Sequence, residues 1–428
     1  MTKDKILKNV SWLLFDKVIR ILGGLFIGVW VARYLGPSNF GILNYAIAYV
    51  ALFVVFVKLG FDKIIVRELV KNTKIKNRLL GTAFILKLIG AFLAIFSIFI
   101  SLFFVETDSL TKVVIFIVAA GFIFQSVDVI DYFYQSKILS KYIVIARNSA
   151  FILSSLLKVY LVLNQSQVVY FALASSMDVF LAGLFMVYIY KKTGHKITKW
   201  RFDKKLAIRM IKYSWPLAIS TFIISIHMRI DQVMIGNMLD KEQVGIYSVA
   251  VRLSEFWLFV PVILVNTLMP YFTELRDTNH KLYYQRLTQL YSIMFWMGAV
   301  FGIFVIMFGK DLIVMLFGIE YVGAYLVLIF NIWNGIFMSQ AIARGIWMIN
   351  ENLQKYRLYN NIIIVVINIV VNIILIPRIG ISGAAIATFI TQFFGTWVVS
   401  FLWKPLRVST WAMIKSVNPL YLLNYKMK

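Results

Sequence analysis

Residues 191–213 read KKTGHKITKWRFDKKLAIRMIKY and carry nine lysines and arginines but a single carboxylate, Asp203. This longest polar stretch separates two sets of six apolar segments, each near the roughly 20 residues that a helix needs to cross a bilayer core. Helix is expected throughout, because a backbone in lipid has to satisfy its polar groups within the segment. We therefore predict an all-α polytopic membrane protein with twelve transmembrane helices in two six-helix lobes. The predicted spans are 11–32, 40–60, 79–105, 113–134, 143–164, 168–190, 214–237, 244–272, 288–308, 323–348, 358–377 and 380–403.

The composition favours a membrane protein and excludes a soluble globular domain. Hydrophobic residues make up 61% of the 428, charged residues make up 15%, and the mean hydropathy is +0.81. A net charge of +25 would suggest nucleic acid in a soluble chain. Here most of the lysines and arginines lie beside the spans, where they set orientation and contact anionic headgroups. We expect membrane lipids as partners and no nucleic acid.

Basic residues alternate between the two sides of the predicted spans. Residues 61–78 carry six and residues 191–213 carry nine, whereas residues 106–112 carry only Lys112. By the positive-inside rule the basic side is cytoplasmic. The sequence therefore predicts a multi-pass protein of the bacterial cytoplasmic (inner) membrane with both termini in the cytoplasm.

Short matches recur between the two halves at offsets of 203 to 214 residues and at equal positions in the topology. Parallel repeats of this kind are typical of transporters, with a substrate path between the repeats. We predict an N-terminal lobe at residues 1–200 and a C-terminal lobe with a cytoplasmic tail at residues 201–428. The matching pairs are Ser11-Trp12 with Ser214-Trp215, Phe40-Gly41-Ile42 with Val244-Gly245-Ile246, Gly121 with Gly335, and Lys141-Tyr142 with Lys355-Tyr356.

Two prolines affect the helix predictions. Pro261 lies inside span eight and predicts a kink, because proline lacks the N–H that a helix interior requires. Pro216 lies at the predicted start of span seven, where a missing N–H is tolerated.

A charged side chain deep in a span is costly unless it is paired or faces water, so each one is a functional candidate. Lys58, Lys87 and Arg344 lie near predicted cytoplasmic ends, and we expect their long side chains to reach the headgroups. The remaining cations could line a water-filled cavity or could form dry pairs that hold helices together. We predict that the following four line a substrate cavity: Arg20, Lys158, Arg229 and Arg252.

Carboxylates accompany these cations. Asp16 is four residues before Arg20, a spacing that places both on one helix face, and Glu255 lies three residues after Arg252. A carboxylate in a low-dielectric site is readily protonated, so ion coupling and charge pairing both stay open. The carboxylates predicted for one of these two roles are Asp16, Asp128, Asp131, Asp178, Asp231 and Glu255.

The sequence predicts no enzyme active site, no cofactor and no metal site. Cysteine is absent, and the three histidines, His195, His227 and His280, are scattered over loops and one span. The sequence contains no glycine-rich phosphate loop, no metal-ligand spacing and no pairing of a nucleophile with a base.

Two blocks near the start of the chain are distinctive: NVSW at residues 9–12 with Arg20, and VARYLGPSNFGILNYA at residues 31–46. Further blocks are LGFD at residues 59–62, LFG at residues 316–318 and GISGAA at residues 380–385. Together these blocks resemble bacterial O-antigen and capsule polysaccharide flippases, the Wzx-like polysaccharide transporter group. The similarity extends over nearly the whole chain.

This resemblance implies the fold of the multidrug and polysaccharide exporters, a V-shaped bundle of two six-helix lobes around a central cavity. It implies translocation of undecaprenyl-pyrophosphate-linked oligosaccharide repeat units to the outer leaflet by alternating access, with ion coupling in some members. It also implies a lipid-linked oligosaccharide as substrate and other polysaccharide-assembly proteins as partners. Cationic cavities are typical of the group, in agreement with the four arginines and lysines singled out above.

Other functions stay open at this point. A multidrug exporter of the same fold would be expected to have a cavity rich in carboxylates, whereas deep cations here are at least as numerous as deep anions. A membrane-embedded enzyme of the polysaccharide pathway would be expected to have a large external loop, and none is predicted. A purely structural scaffold would not need so many charges inside its spans.

Overall fold

The computed structural model describes the backbone of residues 3–423, and within this range the side chains of residues 3–8, 10, 13, 14 and 423 are outside the description. The chain divides into two compact units, Met1–Val233 and Met234–Lys428. The predicted lobes at residues 1–200 and 201–428 stay a prediction. No β-strand occurs in the part of the chain that the structure describes.

The first unit consists of helices joined by short turns. Asn9 on the first helix accepts a hydrogen bond from the backbone N–H of Ser140, at 2.8 Å, and so ties the two helices that contain these residues together. The helices of this unit are α1 (Lys3–Ala51), α2 (Val54–Lys58), α3 (Phe61–Lys71), α4 (Lys76–Ser101), α5 (Ser109–Gln125), α6 (Val129–Ser136), α7 (Ser140–Leu163), α8 (Val168–Lys192) and most of α9 (Lys204–Met238).

The second unit begins in the last turn and a half of α9. Its helices are α10 (Lys241–Trp257), α11 (Phe259–Thr278), α12 (His280–Phe317), α13 (Ala324–Asn350), α14 (Gln354–Ile379), α15 (Ile381–Phe393), α16 (Arg407–Lys415) and α17 (Leu420–Leu423). After α15 the chain continues as a π-helical turn, Phe394–Val398, and a 3₁₀ turn, Val399–Leu402.

The predicted all-α polytopic architecture is confirmed. Within residues 3–423, eleven helices are long and apolar enough to cross a membrane. The first of them contains Gly36, whose φ of 67° and ψ of 172° interrupt the helix before Pro37. Predicted span one and much of span two lie on either side of this break, so twelve predicted spans are consistent with eleven helices.

The prediction for Pro261 is confirmed and that for Pro216 is wrong. The helix is interrupted at Leu258, because Pro261 has no N–H to donate to the carbonyl of Trp257 four residues earlier. Pro216 lies inside α9, which begins at Lys204 and not near residue 214. Half of the polar stretch 191–213 therefore belongs to a helix.

The side chains on the helix surfaces suit a lipid solvent. Phe26 is 70% exposed and Phe104 is 84% exposed, which would be unfavourable in water but not in contact with acyl chains. Each unit also has its own buried aromatic cluster, around Phe133 and Tyr190 in the first and around Tyr291 in the second. Gly90 lets α4 approach the backbone carbonyl of Phe56, where a Cβ would collide.

Candidate functional site: charged side chains within the spans

Asp16 and Arg20 form an ion pair on α1, as their spacing predicted. The Nε of Arg20 lies 3.1 Å from Oδ1 of Asp16, and the two side chains are 31% and 18% exposed. The guanidinium also lies 5.6 Å from the ring centre of Phe151 on α7, a cation–π distance. The charge of Arg20 is thus partly neutralised by Asp16, and its side chain remains partly exposed. Its place in a substrate cavity stays a prediction.

Asp131 is the centre of a buried ion pair between two helices. Its side chain is 4% exposed, and its Oδ2 accepts a hydrogen bond at 2.6 Å from Nη2 of Arg147 on α7. Its Oδ1 accepts a second bond at 2.8 Å from Nε2 of Gln135, one turn later on α6. Two donors, one of them charged, fix the position of this deeply buried carboxylate.

Lys87 does not reach the headgroups, so that prediction is wrong. Its side chain is 1% exposed, its Nζ lies 3.9 Å from Oδ2 of Asp128, and it lies 3.4 Å from the hydroxyl of Tyr132. The ring of Tyr132 lies 5.2 Å away in addition. The ammonium faces inward because α4 packs against α6 and the turn before it, which contains Asp128.

These contacts join into one charge network across the first unit. Asp16 is also near enough to Arg147 to attract it electrostatically. Three cations and three carboxylates take part, so the network has no net formal charge. We conclude that Asp16, Asp128 and Asp131 are held by cations, while their role in ion coupling stays a prediction. The six members are Asp16, Arg20, Lys87, Asp128, Asp131 and Arg147.

Lys158 and Asp178 lie on the neighbouring helices α7 and α8, and both are half-buried. Asp178 accepts a hydrogen bond at 3.3 Å from the hydroxyl of Ser154, one turn before Lys158 on α7. This bond links the two helices. The place of Lys158 in a substrate cavity and the role of Asp178 in ion coupling or charge pairing stay predictions.

A second polar patch lies on α9, still within the first unit. Arg229 is half-buried, and its Nη1 lies 3.5 Å from Oε1 of Gln232. Asp231 is 8% exposed. Nδ1 of His227, one turn earlier, is buried and has no hydrogen-bond partner in the described part of the chain. This patch combines a cation, a carboxylate and an imidazole within five residues.

Arg252 and Glu255 lie on α10, in the second unit. Arg252 is half-buried and Glu255 is exposed. The place of Arg229 and Arg252 in a substrate cavity stays a prediction, as does the role of Glu255.

Arg344 on α13 is buried, so the prediction that it reaches the headgroups is wrong. Its side chain is 3% exposed; Nη1 donates to the hydroxyl of Ser400 at 2.5 Å, and Nη2 donates to the backbone carbonyl of Thr396. Nη2 also lies 3.0 Å from the sulfur of Met413 on α16. Among the described side chains, no carboxylate lies within 4.0 Å of it. The irregular end of the last span thus supplies partners for Nη1 and Nη2, whereas the buried Nε has no hydrogen-bond partner among the described residues.

We did not predict Arg147, or the buried contacts of Lys87 and Arg344, from the sequence. A signal for Arg147 did exist, because two aspartates one turn apart in a span require nearby cations. The sequence alone offers no such signal for Arg344, whose partners are neutral hydroxyl and carbonyl groups.

A family model described as "Polysaccharide biosynthesis protein" matches residues 6–276, more than half of the chain. The chain belongs to this family. The capsular polysaccharide biosynthesis protein CapF of Staphylococcus aureus is 23% identical over 404 residues, which cover 91% of this chain and 96% of CapF. The resemblance noted in the sequence is thereby confirmed.

Solved structures support the fold of this polysaccharide biosynthesis protein. An inward-facing multidrug resistance MATE family transporter of the MOP superfamily superposes with a TM-score of 0.72 at 16% identity, covering 96% of this chain and 99% of that transporter. The lipid II flippase MurJ, in an inward closed conformation, gives a TM-score of 0.68 at 16% identity over 98% of this chain and 94% of MurJ. At these identities the likeness establishes the fold alone. The chain is a multi-pass membrane protein of this exporter fold.

Proposed function

We propose that this protein is a flippase for lipid-linked oligosaccharides. It moves undecaprenyl-pyrophosphate-linked repeat units from the cytoplasmic to the outer leaflet of a bacterial inner membrane, for O-antigen or capsule assembly, with both of its termini in the cytoplasm. It makes and breaks no covalent bond. The observation that carries this proposal is the match to the polysaccharide biosynthesis protein family over residues 6–276.

The charges within the spans support an anionic, bulky substrate. A pyrophosphate headgroup with attached sugars has to cross the hydrocarbon region while its polyprenyl tail stays in lipid. Half-buried guanidinium groups such as Arg20, Arg229 and Arg252 bind phosphate oxygens through planar pairs of N–H donors. Their partial exposure gives a ligand access to these side chains, in contrast to the buried Arg344.

Deletion of the gene tests the proposal directly. We expect polysaccharide to disappear from the cell surface while lipid-linked repeat units accumulate on the cytoplasmic leaflet, where an impermeant lectin labels them in inside-out but not in right-side-out vesicles. Complementation with the wild-type chain should restore both patterns. Normal surface polysaccharide in a deletion strain without a redundant transporter would refute the assignment.

A multidrug exporter is the second candidate, because the MATE transporter shares the fold with a TM-score of 0.72. Its cationic substrates would favour exposed carboxylates, whereas Asp131 is buried against Arg147. Susceptibility to cationic drugs in the same deletion strain separates the two candidates. We expect it to be unchanged, and a marked rise in susceptibility with normal polysaccharide would favour the drug exporter.

Arg229 and Arg252 provide a residue-level prediction. Arg229→Ala and Arg252→Ala should each lower export about tenfold while membrane abundance stays constant, because each removes a phosphate-binding group worth roughly 1.4 kcal/mol. Surface polysaccharide and immunoblots of the membrane fraction measure the two quantities. Arg378→Ala, at an exposed residue near the end of α14, is the control and should leave both unchanged. A parallel fall in abundance would mean that these arginines stabilise the fold instead.

A further inference from the structure

Four basic side chains gather at the end of the first unit where α4 begins and where α6 and α8 end. Lys76 is the first residue of α4, Lys137 directly follows α6, and His195 and Lys199 lie in the turns after α8. We call these four residues the basic end cluster. None of them belongs to the charge network within the spans.

The turn after α8 fixes the imidazole of His195. Gly194 has a φ of 82°, which glycine adopts without strain, and the N–H of His195 donates to the carbonyl of Tyr190 at 3.1 Å. This arrangement closes the helix end. The ring then packs edge-on against Phe133, at 4.8 Å between centres, and at a tilt of 44° against Tyr190, at 5.0 Å.

Lys76 is held against the same aromatic surface. Its Nζ lies 3.3 Å from Nδ1 of His195 and 5.1 Å from the ring centre of Phe133. Burial, and then the charges of Lys76 and Lys137, lower the pKa of His195. The imidazole of His195 is therefore neutral and accepts a hydrogen bond from the Lys76 ammonium. This contact fixes the position of the ammonium.

The cluster concentrates positive charge without an internal counter-ion. Lys137 and Lys199 are near enough to repel Lys76 electrostatically, and among the described side chains no carboxylate lies within 4.0 Å of any of the four. The positive end of the dipole of α4, a helix of 26 residues, lies at the same place. Because these like charges repel one another, an anion from outside the chain would stabilise the arrangement.

We propose that the basic end cluster binds the phosphate group of a membrane lipid at the cytoplasmic surface of the first unit. Lys137 and Lys199 are exposed and Lys76 is half-buried, so a headgroup has access while the aromatic rings exclude water from one side. Two sources offer this chemistry, an anionic phospholipid and the pyrophosphate of a polyprenyl-linked substrate waiting to enter the spans. The second source rests on the proposed function, whereas phosphate recognition itself does not.

The test uses the full-length protein in phosphatidylcholine nanodiscs. Farnesyl pyrophosphate serves as the polyprenyl pyrophosphate probe, and nanodiscs that contain phosphatidylglycerol serve as the phospholipid probe. The readout is the Cε1–H resonance of His195, assigned with His195→Gln. We expect each phosphate source that binds to shift this resonance and to raise the titration midpoint of His195, because a bound anion stabilises the imidazolium.

Matched variants tie the response to the cluster. Lys76→Gln should weaken binding about tenfold, the loss expected when one charge-assisted contact of roughly 1.4 kcal/mol is removed, and Lys76→Arg should retain most of it. Lys71→Gln, an exposed lysine at the end of α3, is the control and should bind like the wild type. Circular dichroism and size-exclusion profiles verify that each variant is folded.

The outcomes separate the site from the transport function. A His195 resonance that responds to neither probe, or equal weakening by Lys71→Gln and Lys76→Gln, would overturn the site. A response to phosphatidylglycerol but not to farnesyl pyrophosphate would keep the phosphate site and exclude substrate pyrophosphate as its ligand. Normal surface polysaccharide after gene deletion would refute the flippase proposal without altering these binding results.

Discussion

Arg147→Ala is expected to destabilise the protein by about 3–5 kcal/mol, the usual cost of removing one member of a buried ion pair. The substitution leaves Asp131, whose side chain is 4% exposed, without the guanidinium that lies 2.6 Å away. Of its two hydrogen-bond donors only Gln135 then remains, and an amide cannot neutralise the charge. The measurement is the midpoint of thermal unfolding in detergent together with abundance in the membrane.

Arg67→Ala is the matched control. Arg67 also pairs with a carboxylate, Glu68, at 3.2 Å, but the two side chains are 58% and 33% exposed. An exposed pair contributes roughly 0–1 kcal/mol, so this variant should unfold close to the wild type. Equal destabilisation by both variants would contradict the importance of burial at Asp131.

A double variant separates a structural role of the pair from a role in ion coupling. Asp131→Leu combined with Arg147→Met replaces the pair by apolar side chains, an exchange that often restores stability. If the pair is purely structural, stability and export should recover together. If Asp131 takes part in ion coupling, stability should recover while export stays low.

The spans were predictable because their signal is local. Apolar runs near the length of a bilayer crossing need no tertiary information, and neither does the break between spans one and two, where glycine precedes proline at residues 36 and 37. The start of α9 was missed by about ten residues because the basic stretch before Pro216 is amphipathic and forms helix outside the apolar run. A hydropathy pattern indicates where the apolar, lipid-facing segment begins, but it does not indicate where the helix begins.

Side-chain partners were predictable only within one helix. The pair of Asp16 and Arg20 follows from a spacing of four residues. Lys87 and Arg344 were expected at the headgroups because both lie near span ends, yet both side chains are turned inward. The direction of a side chain depends on which neighbour packs against that helix face, and the sequence of one span does not contain this information.

Arg344→Met should destabilise the second unit by about 3 kcal/mol or more, because a buried cation then no longer satisfies an irregular helix end. The π-helical turn at residues 394–398 frees backbone carbonyls from regular helix bonding. The guanidinium of Arg344 donates hydrogen bonds to the backbone carbonyl of Thr396 and, at 2.5 Å, to the hydroxyl of Ser400. Bonds from a charged donor contribute roughly 1.5–3 kcal/mol each, and an unsatisfied buried carbonyl costs about 1–3 kcal/mol.

Hydrogen exchange gives this prediction its local readout. The amides of residues 394–415 should exchange faster in Arg344→Met, since the guanidinium also reaches the sulfur of Met413 on α16, at 3.0 Å. Arg344→Lys should not restore protection, because one ammonium on a flexible stem does not reproduce the planar guanidinium that spans Ser400, Thr396 and Met413. Arg378→Met, at an exposed arginine, should leave the exchange unchanged. Unaltered protection of residues 394–415 in Arg344→Met would mean that the π-helical turn and α16 are held by their apolar packing, with Arg344 contributing nothing measurable.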